Sequence, residues 1–183
     1  MPDTPPRPYT AVSPPQEDLA LLGGDIGIYA LARAFHEKYG ITSTVVTRKV
    51  AGPVADSSIL TTVELGMAAS EEDMVAALLQ VGRDKAARPG GTRPVLLANA
   101  DFLVALLAAH RDELGELFHL PLLDDDVLEA VADKATFSQM CSEIGVATPR
   151  TVVLDFEGGT APEVPELDLG WPVVAKASRS SAY

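Results

Sequence analysis

The stretch Asp18–Gly40, DLALLGGDIGIYALARAFHEKYG, decides how this chain is read. Its first part, Asp18 to Gly24, is a short apolar run ending in two glycines, as a buried parallel strand does. From Asp25 onward the apolar positions Ile28, Leu31, Ala32, Phe35 and Tyr39 follow helical spacing, and Gly40 stops the helix. Strand, glycine turn and helix in this order open a β–α–β unit.

The alternation continues outward from there. Thr42–Val50 (TSTVVTRKV) is β-branched and reads as a second strand, and the alternating Ser57–Leu65 is a candidate third. Ser70 followed by Glu71, Glu72 and Asp73 supplies a helix cap with acids in the first turn. That helix runs to Ala87 and breaks in the RPGG sequence Arg88–Gly91. Arg93–Ala100 is the next apolar strand, and Asp101–Phe118 reads as one helix after it. The expectation is an α/β fold: a Rossmann-like, mostly parallel sheet over residues 17–123, covered on both faces. Such sheets bind ligands beyond the carboxyl ends of their strands.

Residues 124–183 have a different character. A short helix and a longer one from Lys134 to Ile144 are expected, with Gly145 as the stop. Val146–Phe156 reads as a proline-led strand, Glu157–Gly170 as a Gly/Pro/acid-rich connector, and Trp171–Ala177 as a last strand. A helix pair with two strands is too little to close a sheet, so an incomplete α+β second domain is expected. The proline-rich residues 1–16 read as a disordered or polyproline-II leader.

Composition removes several classes of function. With 14 Lys+Arg against 26 Asp+Glu, the net charge is −12, which argues against a nucleic-acid surface. A bound anion must then be held by locally placed cations and backbone N–H groups. The one cysteine, Cys141, lies in a helical pattern and reads as a buried structural thiol, excluding an internal disulfide framework. His36, His110 and His119 are scattered, the first two in helices and the third in a turn, without metal-ligand spacing. No apolar run approaches the ~20 residues of a membrane span, and no signal peptide is evident, so a cytoplasmic protein is expected.

Three motifs are candidates for chemistry. In the first, Leu21–Arg33, the glycine turn would place helix N–H groups before an anion. Gly23, Gly24 and Gly27 miss the G-x-G-x-x-G spacing of a dinucleotide fold, and Arg48 and Lys49 end the second strand where that fold has an acid. A turn that only serves packing and a contact with a small molecule both remain open. The second is Asn99–Asp101 at the end of the fourth strand, where Asp101 either meets a ligand or, more simply, caps the next helix. The third is a pair of lysines in unfavourable places. Lys134 opens a helix, against the macrodipole, and Lys176 lies in an otherwise apolar strand. An anionic partner such as phosphate would explain both, although each has an unremarkable account in solvent.

The pattern formed by DK at Asp133–Lys134, GVATPRT at Gly145–Thr151 and WPVVAKAS at Trp171–Ser178 resembles the entry into an ATP-grasp domain. GGDIGIYALARAFHEKYG and ANADFLVALLAAHRDEL sharpen the resemblance to D-aspartate ligase-like ATP-grasp carboxylate–amine ligases, from about Asp18 to the end. The resemblance implies a pre-ATP-grasp domain followed by the start of an ATP-grasp domain. It also implies that Lys134 and Lys176 contact ATP phosphates. Gly24, Asp25, Tyr29, Arg33 and Asp101 become candidate substrate-side residues. The implied chemistry is phosphorylation of a carboxylate by ATP, D-aspartate being a candidate, and attack of an amine on the acyl phosphate. An amino acid and a peptidoglycan precursor are the implied partners, for cross-bridge formation. The polar loop after Lys176 departs from the glycine-rich loop of many ATP-grasp proteins. The adenine-contacting hinge and the Mg²⁺ ligands are expected beyond residue 183, so this stretch alone is expected to be inactive. The alternative is a non-catalytic Rossmann-like module that binds a nucleotide or metabolite, with Arg48 and Lys49 facing NADP(H).

Overall fold

The computed structural model describes residues 18–50, 52–91, 93–154, 156 and 169–178. They divide into two compact units between Pro121 and Leu122. Among the described residues no helix is long and apolar enough to cross a membrane.

The first unit is built on four parallel strands: β1 (Leu19–Leu22), β2 (Ser43–Thr47), β3 (Leu60–Glu64) and β4 (Val95–Ala98). Their order is β3-β2-β1-β4. Leu21 of β1 lies beside Val45 on one side and Leu97 on the other. All of β1 is buried, which is why it reads as an uninterrupted apolar run and not an alternating one. β3 forms an edge, and its Thr61 and Thr62 are exposed accordingly.

Helix α1 (Ile26–Tyr39) crosses from β1 to β2 and ends at Gly40, whose φ of 71° is left-handed. Leu19, Leu21, Ile28, Ala32 and Val45 form a buried cluster, with Leu31 and Phe35 packed against it. Burying a side chain of this size stabilises by roughly 1.5–3 kcal/mol. Helix α2 (Glu71–Ala86) begins with a reciprocal capping box between Ser70 and Asp73, as the SEED sequence predicts. On its buried face Lys85 donates to Asp18 at 2.9 Å, and Arg88 lies 3.7 Å from the same carboxylate. Asp18 thereby fastens the entrance of β1 to the end of α2.

The expected single helix Asp101–Phe118 is two helices, α3 (Asp101–Ala109) and α4 (Arg111–Gly115). His110, at φ −112° and ψ 24°, breaks the helical path. The bend accompanies burial of Leu107, Leu114 and Phe118 alike. His119, expected in a turn, instead pairs with Val95 along the free edge of β4. Its N–H donates to Pro94 O at 2.9 Å and its carbonyl accepts from Leu96 N at 3.0 Å. Backbone groups at a sheet edge need such partners once they are shielded from water. Arg93 donates to the carbonyls of Gly115 and Phe118, holding this segment in place.

The second unit contains α5 (Asp125–Ala132) and α6 (Lys134–Glu143), the expected helix pair. Cys141 is buried, as the helical pattern predicts. The two expected strands are not formed: residues 146–154 and 173–177 carry no β-ladder. Val152, Val153, Phe156, Trp171 and Val174 are exposed there. A strand is stable only in a ladder, and two short segments with few partners do not make a sheet. Lys176 is therefore exposed and not embedded in an apolar strand, so burial imposes no demand for a counter-ion on it. The leader and most of the connector, residues 157–168, lie outside the described residues.

Candidate functional site

The strand order of the first unit reverses between β1 and β4, so the loops leaving their carboxyl ends diverge to opposite faces. That divergence leaves a crevice, the usual ligand position in an open parallel sheet. The loops after β1, β2 and β4 line a cleft of about 280 Å³ there.

At the end of β1, Gly23 N donates to Val46 O at 3.0 Å before the chain turns into α1. Asp25 is the extended residue that caps the helix. Its Oδ1 accepts from Gly27 N at 2.9 Å and from Ile28 N at 3.1 Å. A third donor comes from across the switch point, Asn99 Nδ2 at 2.8 Å. The Ile28 N–H is the largest influence holding the Asp25 carboxyl below its usual range. Partial desolvation opposes that shift, and the bonds from Asn99 and Gly27 reinforce it. The amino end of α1, open to an outside anion in a dinucleotide fold, is filled by the chain's own carboxylate.

Glycine in this loop serves close packing. A Cβ on Gly24 would overlap Lys49 O and Thr47 Oγ1, and one on Gly27 would overlap Asn99 Nδ2. The loop after β1 therefore leans on the exit of β2, and the first turn of α1 leans on the exit of β4. Of the two readings the motif leaves open, packing accounts for both glycines. The Thr47 hydroxyl locks the β2 exit, donating to Lys49 O at 3.0 Å and accepting from Lys49 N at 3.3 Å.

Beyond that exit the cleft carries two cations. Arg48 Nε donates to Ala69 O at 2.8 Å, and Lys49 is exposed. The same cleft is lined by apolar side chains left in solvent, Met67 at 71% exposure and Phe102 at 55%.

The candidate substrate-side residues are only partly brought together. Gly24 and Asp25 line the cleft; Tyr29, Arg33 and Asp101 do not. Tyr29 is half-buried one turn along α1, and Arg33 is exposed and paired with Glu37 at 2.6 Å. Asp101 is the first residue of α3, where its charge suits the helix macrodipole. The cap position belongs to Ala100 with no side-chain cap bond, so the expectation that Asp101 caps the helix is corrected. Asn99, Thr47, Met67 and Phe102 are the residues sequence reasoning left without a role. Asn99 alone carried a signal, as a polar residue at a strand's carboxyl end.

The second unit holds its own constellation. Asp133 caps α6, its Oδ1 accepting from Thr136 N at 2.8 Å. Lys134 follows as the first helical residue, and its backbone N–H donates to Ser178 O at 3.1 Å. The Lys134 ammonium donates to the same carbonyl at 3.2 Å. Ser178 Oγ in turn donates to Asp133 Oδ2 at 2.6 Å. That bond is the largest cause holding the Asp133 carboxyl down at about 2, with the Thr136 N–H next. The amino end of α6 is thus fastened to the segment two residues past Lys176. Asp133 also explains how a lysine sits at a helix start: the cap beside it supplies the negative charge.

The chain, an α/β unit with its cleft at the switch point followed by a unit that ties one lysine to the segment carrying another, is similar to ATP-grasp proteins of the D-aspartate ligase type. No protein-family model matches the chain. The particular likeness is to the D-aspartate ligase of Enterococcus faecium (strain Aus0004), 25% identical over 166 residues, or 89% of this chain. The chain spans 39% of that relative's length. In fold it is similar to the crystal structure of an L-amino acid ligase from Bacillus licheniformis. That similarity has a TM-score of 0.50 at 15% identity, covering 73% of this chain and 31% of the other. The resemblance stated from the sequence and the α/β fold class both hold.

Proposed function

We propose that these residues belong to an ATP-dependent carboxylate–amine ligase, acting in the cytoplasm, with an amino acid as its carboxylate substrate. D-aspartate is the first candidate for that carboxylate, and a peptidoglycan precursor for the amine, as in cross-bridge formation. The single observation that carries the reading is the fastening of Lys134 to Ser178, which joins the start of α6 to the Lys176 segment. Two cations on joined segments fit a polyphosphate in a chain whose net charge is −12. The likeness to D-aspartate ligase over most of the chain supports the same reading. Because the chain spans about two fifths of that relative, the activity proposed is that of a protein of the relative's length.

ATP supplies the phosphoryl group that activates the carboxylate. Lys134 and Lys176 would neutralise phosphate charge and hold the nucleotide in place, and catalysis of this kind rests on positioning and electrostatics. The resemblance also implies Mg²⁺. Among the described residues no three His, Cys, Asp or Glu side chains are grouped to hold a metal ion. Gly24 and Asp25 would shape the substrate side of the first unit. The alternative, a dinucleotide-sensing module, has less support, because Asp25 fills the helix terminus that a pyrophosphate would take.

The test is ATP-dependent phosphate release by the full-length protein, with D-aspartate and L-amino acids compared and an amine acceptor present. Release that requires a carboxylate substrate is expected, and Lys176→Gln should raise the KM for ATP. Release independent of any carboxylate, or binding of NADP(H) without ATP, overturns the proposal.

A further inference from the structure

We propose that the cleft of the first unit binds an organic carboxylate with an apolar body, and that its cation is Lys49, seconded by Arg48. The inference deepens the ligase reading, in which Gly24 and Asp25 of this cleft shape the substrate side, and because the cleft lies wholly within one unit its binding can be measured without ATP.

An anion entering this cleft meets three surfaces. The first is the amino end of α1, where Asp25 Oδ1 already takes the N–H groups of Gly27 and Ile28 and the Asn99 amide. A second anion there would displace none of these bonds without leaving a carboxylate unsatisfied, and would be repelled by it. The second surface is the β2 exit. Its Lys49 backbone is held on both sides by the Thr47 hydroxyl, so the lysine springs from a fixed point. Arg48 spends its Nε on Ala69 O, and neither cation has a carboxylate partner among the described residues. In a chain with 26 acids and 14 bases, two adjacent cations at a cleft with no acid engaged to them are an unusual concentration of positive charge. The third surface is apolar: Met67 and Phe102 stand exposed at the same cleft. Buried against a ligand's hydrocarbon they would leave water, which is favourable.

These surfaces select the ligand's chemistry. A phosphate is best held by several converging backbone N–H groups, and those of α1 are already engaged by Asp25. A lysine ammonium beside a guanidinium suits a carboxylate or a phosphate alike, and it is the apolar wall, which asks for a hydrophobic body, that selects an organic carboxylate.

The experiment titrates the chain with three probes while backbone amide resonances are followed. N-acetylphenylalanine offers a carboxylate with an aromatic body, N-acetylphenylalaninamide offers the same body uncharged, and inorganic phosphate offers charge alone. The expected result is that the acid shifts the amides of Gly24, Lys49 and Phe102 and binds about tenfold more tightly than the amide, roughly the effect of one ion pair. Lys49→Gln should remove most of that tenfold preference and leave thermal stability unchanged, because the side chain is exposed. Lys38→Gln, at the far end of α1, should change nothing. Equal binding of acid and amide, undiminished binding by Lys49→Gln, no binding at all, or phosphate shifting Gly27 and Ile28 most strongly each overturns the proposal. A full-length protein that fails to ligate leaves these outcomes untouched, so the two readings fail separately.

Discussion

Asn99 Nδ2 donates to Asp25 Oδ1 at 2.8 Å, joining residues 74 positions apart across the switch point of the sheet. The bond makes one group serve two ends: Asp25 caps α1 and is itself held by the loop leaving β4. Asp25→Ala should cost about 1 kcal/mol as a lost cap, read as a lowered Tm. Asn99→Ala should cost less, since the two backbone donors remain. The pH dependence has a definite sign. The folded carboxyl titrates below its ordinary value of 3.8, so its stabilisation is complete above that value and is lost as pH falls through the lower folded one. The difference in stability between the parent and Asp25→Asn should therefore narrow on acidification, and a difference that stays constant would refute this account.

Gly24→Ala distinguishes a glycine kept for packing from one kept for a ligand. A Cβ would overlap Lys49 O and Thr47 Oγ1, both fixed by the turn they form. Overpacking of this kind costs roughly 1–3 kcal/mol, measurable by urea unfolding without any ligand. An alanine variant as stable as the parent would show that the loop has room and that the glycine answers to something else.

The Asp133 carboxyl should titrate at about 2 in a carbon-detected NMR experiment. Ser178→Ala removes the largest cause and should move the midpoint upward, toward the usual carboxylate range. Since the folded value is the lower one, the Asp133–Ser178 tie stabilises at neutral pH and weakens as pH falls through about 2. An unchanged midpoint in the variant would mean that Ser178 does not hold this carboxylate in solution.

Asp18→Asn leaves the buried ammonium of Lys85 without its counter-charge. A loss of about 1–3 kcal/mol is expected, the cost of an incompletely satisfied buried group. Adding Lys85→Met should recover much of it, because an apolar side chain of similar length needs no partner there. Destabilisation that the double variant fails to relieve would assign the cost to Asp18 alone.

What was legible before folding was local. The Leu19–Leu22 run, the helical stripe from Ile28 to Tyr39, the Gly40 stop and the Ser70 capping box are each defined by neighbours within a turn or two, and each stands where the residues predict. The site was half legible. The glycine loop and Asp25 could be seen at a strand's end, but Tyr29 and Arg33 share their helix without sharing its cleft. A helix rotates its side chains by 100° per residue, and only the packing of Ile28 and Ala32 against the sheet decides which of them faces the crevice.

The sequence by itself determined the alternation of strands and helices from β1 to β4, because backbone periodicity and capping act over a few residues. Tertiary structure alone decided that Asp25 would be claimed by Asn99, 74 residues away, and Lys85 by Asp18, 67 residues away. It also decided that His119 would extend the sheet and that the segments around Val152 and Lys176 would form no strands. Hydrogen bonds and ladders need a partner, and no local pattern in a chain names a partner that folding has yet to bring near.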